Sequence, residues 1–441
     1  MPTVAIYTLG CKVSQYESEA ILEAFSEHGV DPAPPDTPAD IYVINTCTVT
    51  AESDRKCRQT IRRAISQSPN AVIAVCGCYS QRASAELAAI DGVDIVIGTD
   101  NKLTVVPLCL EYLSGKRAGQ YISAPSLEGA KFEKMCVRGA PRTRAYVKIE
   151  DGCESRCSYC AIRHARGPVR SKPPAEVIAE VEGLYRSGTR EIVLTGIETG
   201  SYGRDLDGSY TLADLIVELD KRGSCERLRL GSLAPELVGR DFVDKVKDCK
   251  ILVPHFHLSM QSGSDTVLRL MRRRYSAAMA SETVERFRAA IPDVQFTTDL
   301  MVGFPGESEE CFLETLAFVE RARFLDAHVF VYSEREGTEA PSLPDPVPKE
   351  ERRRRAKRLC TLVRRIRDEI LDGVVSEKKL LSSILESYED GHYSAHSDEF
   401  IALRVAAPEN MQGERVWVVP VSHKNGIVEA VLAGNNITKS K

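Results

Sequence analysis

Gly152-Cys153-Glu154-Ser155-Arg156-Cys157-Ser158-Tyr159-Cys160 is a C-x3-C-x2-C run, and its reading decides both the fold and the chemistry expected of the chain. Three thiolates this close together suit a [4Fe–4S] cluster with one iron left without a protein ligand. A cluster built only for electron transfer normally closes all four irons with cysteine. An open iron is instead a docking point for a small chelating molecule. A zinc knuckle, which would need a fourth tetrahedral ligand, is the alternative for such a run.

Outward from this run the pattern is strand–helix alternation. Tyr146–Ile149, Glu191–Leu194, Arg227–Leu230, His255–Met260, Gln295–Met301 and Ala327–Tyr332 read as strands, with helices beginning near Pro174, Thr211, Glu236, Ser264 and Glu309. Six such units predict an open (β/α)6 partial barrel with its chemistry at the strand carboxyl ends, where the cysteine run sits. Polar, glycine-bearing segments follow later strands at Thr195–Glu198, Ser259–Ser264 and Asp299–Gly306. They present amides and side chains to the barrel mouth. Arg273 and Arg274 read as a solvated face beyond Ser264.

The first hundred residues alternate in the same way. Val4–Thr8, Ile41–Asn45, Ala71–Val75 and Asp94–Ile97 are strand-like, and Glu17–His28, Thr50–Ser66 and Gln81–Ala89 carry helical spacing. This predicts a small parallel sheet covered by helices. Cys11, Cys47 and Cys78 each fall just past one of the first three strands, at the edge where open α/β sheets place ligands. Cys76 competes with Cys78, but alternation along the strand turns Cys76 toward a sheet face. Of the fourteen cysteines, Cys57, Cys109, Cys136, Cys225, Cys249, Cys311 and Cys360 have no ligand-like spacing and read as small buried hydrophobes.

These segments carry a resemblance. The Cys153–Cys160 run resembles the radical S-adenosylmethionine (SAM) enzymes. Leu9-Gly10-Cys11-Lys12-Val13-Ser14-Gln15-Tyr16-Glu17-Ser18, Asn45-Thr46-Cys47-Thr48-Val49-Thr50 and Gly77-Cys78-Tyr79 resemble the N-terminal domain of the radical SAM methylthiotransferases. The resemblance implies two [4Fe–4S] clusters: Cys153, Cys157 and Cys160 hold the one that binds and cleaves SAM, and Cys11, Cys47 and Cys78 hold an auxiliary one that handles inserted sulfur. It further implies SAM contacts from Tyr159, Gly196, Ser232, Gln261, Ser262, Asp299 and Gly303. Three positions depart from the family pattern: Arg163, Ser14, and Gly231–Glu236, which lacks a Ser-Ser pair. None removes a cluster ligand; the last puts the contacts around Ser232 and Glu236 in doubt.

Pro341–Pro348 is a proline-rich connector. After it Arg352, Arg353, Arg354, Arg355, Lys357, Arg358, Arg364, Arg365 and Arg367 line a helix whose apolar stripe is Leu359, Leu362, Val363, Ile366 and Ile370. Its basic face suits a phosphate backbone, with a solvated surface as the alternative. The last sixty-odd residues read as short strands between Gly-containing turns, predicting a five-stranded antiparallel barrel similar to the TRAM domain. Tyr388, His392, Tyr393, His396 and Phe400 are candidates for base stacking there. The expected division is 1–125, 139–370 and 375–440.

At 441 residues, two to three domains are expected, and 43% hydrophobic with 27% charged residues is the balance of an ordinary folded chain. A net charge of −5 does not by itself advertise nucleic acid, though a local patch can bind it. No apolar run reaches spanning length and Met1–Ala5 runs straight into a strand, so a cytoplasmic protein with no membrane partner is expected.

Within the family, Gly10–Val13 and Cys47–Gln59 look like the MtaB group. Its members methylthiolate C2 of N6-threonylcarbamoyladenosine next to the tRNA anticodon. The alternatives are the MiaB group, acting on isopentenyladenosine, the RimO group, acting on a ribosomal-protein aspartate, and a non-catalytic iron–sulfur RNA-binding protein. The implied partners are tRNA and a flavodoxin- or ferredoxin-like reductant, with the sulfur donor unknown.

Overall fold

The computed structural model describes residues 1–139 and 143–434, so the end point at 440 of the expected division lies outside the described residues. The chain begins with six parallel strands: β1 (Thr3–Thr8), β2 (Asp31–Pro32), β3 (Ile41–Thr46), β4 (Val72–Gly77), β5 (Ile95–Ile97) and β6 (Tyr121–Ser123), in the order β2-β1-β3-β4-β5-β6. Period-two alternation sorts their side chains to two faces. Val4, Val43, Ala74 and Cys76 pack under helices Lys12–Glu27 and Val105–Leu113. Ala5, Ile44 and Val75 pack under helix Ala51–Gln67. The edge strands β2 and β6 were not expected; they are two and three residues long, too short to carry a periodic signal.

The central part contains β7 (Arg144–Lys148), the short antiparallel pair β8 (Glu150–Asp151) and β9 (Arg170–Ser171), then β10 (Glu191–Thr195), β11 (Arg227–Leu230), β12 (Ser232–Leu233), β13 (His255–Gln261), β14 (Gln295–Val302) and β15 (Asp326–Val331). Two parallel sheets result, β11-β10-β7 and β12-β13-β14-β15. They meet where Gly231 separates β11 from β12 in one extended segment; its amide bonds the Leu194 carbonyl, and a Cβ there would meet Thr199 Oγ1 at 2.8 Å. The arrangement is the expected open six-unit barrel. Its helices start where the chemistry of caps dictates: Thr211 forms a capping box with Asp214, and Ser276 and Ser308 accept first-turn amides. The helix expected near Glu236 is a short 3-10 turn followed by Arg240–Val246.

The C-terminal strands β16 (Leu381–Glu389), β17 (His392–Ser397), β18 (Ala402–Ala406), β19 (Arg415–Lys424) and β20 (Ile427–Leu432) close into a barrel, β16-β17-β18-β20-β19. One helix, Lys349–Ser376, joins it to the centre. Leu359, Val363 and Ile366 enter the central core, and Leu371 and Val374 enter the barrel core. No described helix is long and apolar enough to cross a membrane. Cys57, Cys109, Cys225 and Cys311 are buried as expected, but Cys136 is exposed and Cys249 and Cys360 are half-buried.

Candidate active site at the seam of three bodies

The N-terminal triplet is assembled by strand order. β1, β3 and β4 are neighbours, with Thr8 opposite Asn45 and Thr46 opposite Gly77, so the residues that follow emerge side by side. Cys11 is the N-cap of helix Lys12–Glu27, Cys47 follows β3, and Cys78 opens the turn after β4. Gly77 has φ +104°, and a Cβ there would strike the backbone of Thr46. Only glycine fits that turn. Burial pushes the Cys47 thiol up to about 11, and Cys78 and Cys11 add to the effect, so the three sulfurs feel one another. Cys76 lies fully buried in the apolar face of the sheet, away from this edge.

The second triplet occupies the loop between β8 and β9. Gly152 has φ +94° and its Cα packs against the Pro168 carbonyl, while Cys160 N–H bonds the Cys157 carbonyl at 3.1 Å. Burial first, then Cys157, pushes the Cys160 thiol to about 12, with Cys153 contributing. Arg273 Nη1 lies 3.4 Å from Cys157 Sγ, with the guanidinium over the Tyr275 ring at 5.1 Å and Glu236 at 3.9 Å. Arg273 is therefore not the solvated face expected of it; Arg274 is exposed. Among the described residues no three His, Cys, Asp or Glu side chains are drawn tightly enough around one point to hold a single metal ion. Each triplet offers three thiols, a donor set that suits three corners of an iron–sulfur cubane.

A buried ionic network links Cys78 to Asp151, which stands just before the second cysteine loop. Arg166, fully buried, donates from Nε to Cys78 Sγ at 3.0 Å and from Nη1 to Glu17 at 2.6 Å and Asp151 at 3.2 Å. Lys148 pairs with Glu17 at 2.8 Å and Asp151 at 2.6 Å, and Lys102 also pairs with Glu17. Burial alone would raise Glu17, but Arg166, Lys102 and Lys148 hold it well below the usual carboxylate range. Asp151 immediately precedes the Gly152–Cys160 loop, so the same charges brace both cysteine sites. Sequence reading missed Arg166 and Glu17, for nothing local separates them from other charges on helices.

A cavity of about 830 Å³ opens where the three bodies meet. Cys11 and Lys12 form one wall; Thr195, Gly196, Ser232, His257 and Asp299 form the barrel side; His396 and Phe400 come from the C-terminal barrel. His257 Nε2 is 3.2 Å from Asp299, and Phe400 stacks on His255 at 4.5 Å with Arg229 over its ring at 4.9 Å. Lys12 is open to the cavity yet ringed by protein, and desolvation with Arg229 and Arg144 lowers its pKa. Glu198, at the barrel mouth, is raised to about 7 by burial, with Arg273 opposing and Glu236 reinforcing.

Of the residues expected to touch SAM, the fold brings Gly196, Ser232 and Asp299 to this cavity. Gln261 sits at a β-bulge with φ +60°, a costly backbone for a non-glycine residue. Tyr159 packs edge-on against Phe304. Ser262 is buried, its hydroxyl 3.2 Å from Thr315 Oγ1 and accepting from Ser264 N–H, and the Cα of Gly303 is covered by the Arg352 side chain. Neither presents itself to the cavity. Of the departures from the family pattern, Arg163 is exposed, and Ser14 is buried with its Oγ under the Cα of Gly10.

The basic helix is largely neutralised. Arg355 is buried against Glu307 at 2.6 Å, Arg354 and Arg358 pair with Glu351 and Glu309, and Arg365 pairs with Glu369. Arg352 donates to the Val347 carbonyl at 2.6 Å. Arg353, Lys357 and Arg364 are exposed. In the C-terminal barrel Tyr393 fills the interior and Tyr388 is exposed; Trp417, not singled out from sequence, is 47% exposed.

Residues 147–319 match the radical SAM superfamily and residues 3–98 match an uncharacterized protein family, UPF0004. A threonylcarbamoyladenosine tRNA methylthiotransferase MtaB from Bacillus subtilis (strain 168) is 38% identical over 423 residues, 95% of this chain and 93% of that one. The chain belongs to the radical SAM methylthiotransferases. Another relative of the family, from Thermotoga maritima and bearing the same name, is 36% identical over 92% of this chain and 93% of its own. A tRNA-2-methylthio-N(6)-dimethylallyladenosine synthase from Carboxydothermus hydrogenoformans is 34% identical, covering 81% and 82%. In fold the chain is similar to the radical SAM methyltransferase TsrM from Kitasatospora setae, with a TM-score of 0.54 at 16% identity and 75% of each chain covered.

Proposed function

We propose that this methylthiotransferase acts on tRNA and replaces the C2–H of N6-threonylcarbamoyladenosine, next to the anticodon, with a methylthio group. The match along nearly the whole chain to relatives named for that activity carries the reading. The seam geometry supports it, since Cys11 of the N-terminal triplet lines one cavity with Gly196, Ser232 and Asp299 of the barrel mouth. Cys153, Cys157 and Cys160 would hold a [4Fe–4S] cluster, which with SAM bound supplies the one-electron chemistry that an unactivated aromatic C–H requires. Arg273 keeps a positive charge beside Cys157, and Gly196, Ser232 and Asp299 shape the side of the cavity where SAM would lie. Cys11, Cys47 and Cys78 would hold a second [4Fe–4S] cluster that serves the inserted sulfur.

The working division is an N-terminal domain over 1–125, a radical SAM domain with the basic helix over 139–370, and a TRAM-type RNA-binding barrel over 375–440. A cytoplasmic location and a flavodoxin- or ferredoxin-like reductant go with this reading. The test is mass spectrometry of nucleosides from tRNA of a deletion strain. The threonylcarbamoyl nucleoside is expected to accumulate without its methylthio group, and complementation to restore it. The relatives named for dimethylallyladenosine favour one second reading; loss of that methylthiolated nucleoside instead would establish it.

A further inference from the structure

Given the activity proposed above, on which this rests, the N6 substituent of the substrate base ends in a threonine carboxylate. That anion must be housed wherever the base is held against the Cys11 edge. Taken out of water, it needs a charged or hydrogen-bonding partner. Lys12 follows Cys11 directly and lines the same cavity, with no hydrogen-bond or ion-pair partner among the described residues. The other two cations of the wall are engaged: Arg229 with Glu191 at 3.1 Å and the Ser397 carbonyl at 3.3 Å, Arg367 with Asp326 at 3.5 Å. The cavity's nearby acid, Asp299, lies 3.2 Å from His257 Nε2 and acts on Lys12 only through space, without a direct ion pair.

A second, independent group points the same way. His255 is 3% exposed and lines this cavity; its Nε2 meets Thr297 Oγ1 at 3.0 Å, while Nδ1 has no partner. An unpaired ammonium and an orphaned imidazole nitrogen thus share one cavity with a cysteine of the sulfur-handling edge. We propose that Lys12 is a specificity-determining residue whose ammonium pairs with the carboxylate of the threonylcarbamoyl group, with His255 Nδ1 serving a polar atom of the same substituent. An apolar isopentenyl group in that place offers the Lys12 ammonium no counterion. The same contact therefore selects the charged substituent and rejects the uncharged one.

The test uses the reconstituted full-length enzyme and its Lys12→Met and Lys12→Arg variants on three anticodon stem-loop RNAs. These carry the threonylcarbamoyl base, its carboxamide analogue, or isopentenyladenosine. Wild type is expected to prefer carboxylate over carboxamide by about tenfold or more in kcat/KM, the scale of one lost charged hydrogen bond. Lys12→Met should bring that ratio close to one, and Lys12→Arg should retain it. Equilibrium binding of the same RNAs to wild-type protein supplies a readout independent of turnover and of how well a variant folds, and should show the same preference. A wild type indifferent to the carboxamide, or an unchanged ratio in a folded Lys12→Met enzyme, overturns the role of Lys12 and leaves the proposed activity standing. A wild type that modifies only the isopentenyl RNA overturns the activity itself.

Discussion

Arg166 reaches from the loop that carries Cys153, Cys157 and Cys160 to donate a hydrogen bond to Cys78 on the edge of the other sheet, at 3.0 Å. Its guanidinium is wholly buried, and Glu17 and Asp151 share its remaining donors. A charge so enclosed persists because Glu17 and Asp151 compensate it. The seam between the two iron–sulfur candidates is therefore a designed electrostatic joint, in which removing one member leaves others uncompensated.

Arg166→Gln is accordingly expected to destabilise the fold by about 3 kcal/mol, the scale for breaking a buried pair by removing one partner. Urea denaturation measures it, and Arg166→Lys, which keeps the charge but loses the bidentate reach, should fall between the two. Equal midpoints for wild type and Arg166→Gln would show that the network contributes nothing net.

Iron content tests the two triplets. Reconstituted wild type should carry about eight irons per chain if each triplet holds one cubane. The combined Ala variant of Cys153, Cys157 and Cys160 should lose about half of them, together with SAM cleavage to 5′-deoxyadenosine. Full iron in that variant would remove those cysteines from the site.

The complementary variant separates the roles. Ala at Cys11, Cys47 and Cys78 should leave 5′-deoxyadenosine formation detectable, because the remaining triplet lies on a different loop, while methylthiolated RNA disappears. Continued accumulation of methylthiolated product would make the N-terminal cysteines structural.

On the basic helix, the exposed cations with no ion pair among the described residues are the best placed to serve RNA. Charge reversal at Arg353, Lys357 and Arg364 should weaken tRNA binding and flatten its salt dependence, as fewer counterions are released. Arg355→Glu should instead unfold the helix contact, since it sets a buried anion against Glu307; thermal melting distinguishes the two effects. An unchanged salt slope in the triple variant would leave RNA binding to the C-terminal barrel.

His255 sets a pH dependence. Burial, then Arg229, His257 and Lys12, hold its imidazole well below the ordinary range. Below about pH 6.5 the unfolded chain takes up a proton that the folded one refuses, so stability falls as pH falls, by about 1.4 kcal/mol per unit, and is unaffected above that point. Urea midpoints at several pH values between roughly 7.5 and 5.5 should show a shallower decline for His255→Gln than for wild type. Parallel declines would assign the acid sensitivity elsewhere.

Much of this architecture is legible in the linear order of residues. The Cys153–Cys160 spacing lies within one loop, and the Cys11, Cys47 and Cys78 positions each follow a β-branched run whose periodicity marks a strand end. Parallel topology then brings those ends together by rule. The helix stripe Leu359–Ile370 is visible for the same reason, since 3.6-residue spacing is a local property.

What the sequence could not decide is which charges meet. Arg355 and Glu307 are far apart in the chain, as are Arg166 and Cys78, and Arg273 and Cys157; each pair is made by packing of separate elements. Read alone, Arg273 and the arginine run were surface charges, because composition says only that a charge exists and not what opposes it. The cavity that gathers the Lys12 ammonium and the unpaired Nδ1 of His255 is decided last of all. It exists only where the N-terminal sheet, the open barrel and the C-terminal barrel come together, and the desolvation that gives those two groups their significance is a property of that enclosure.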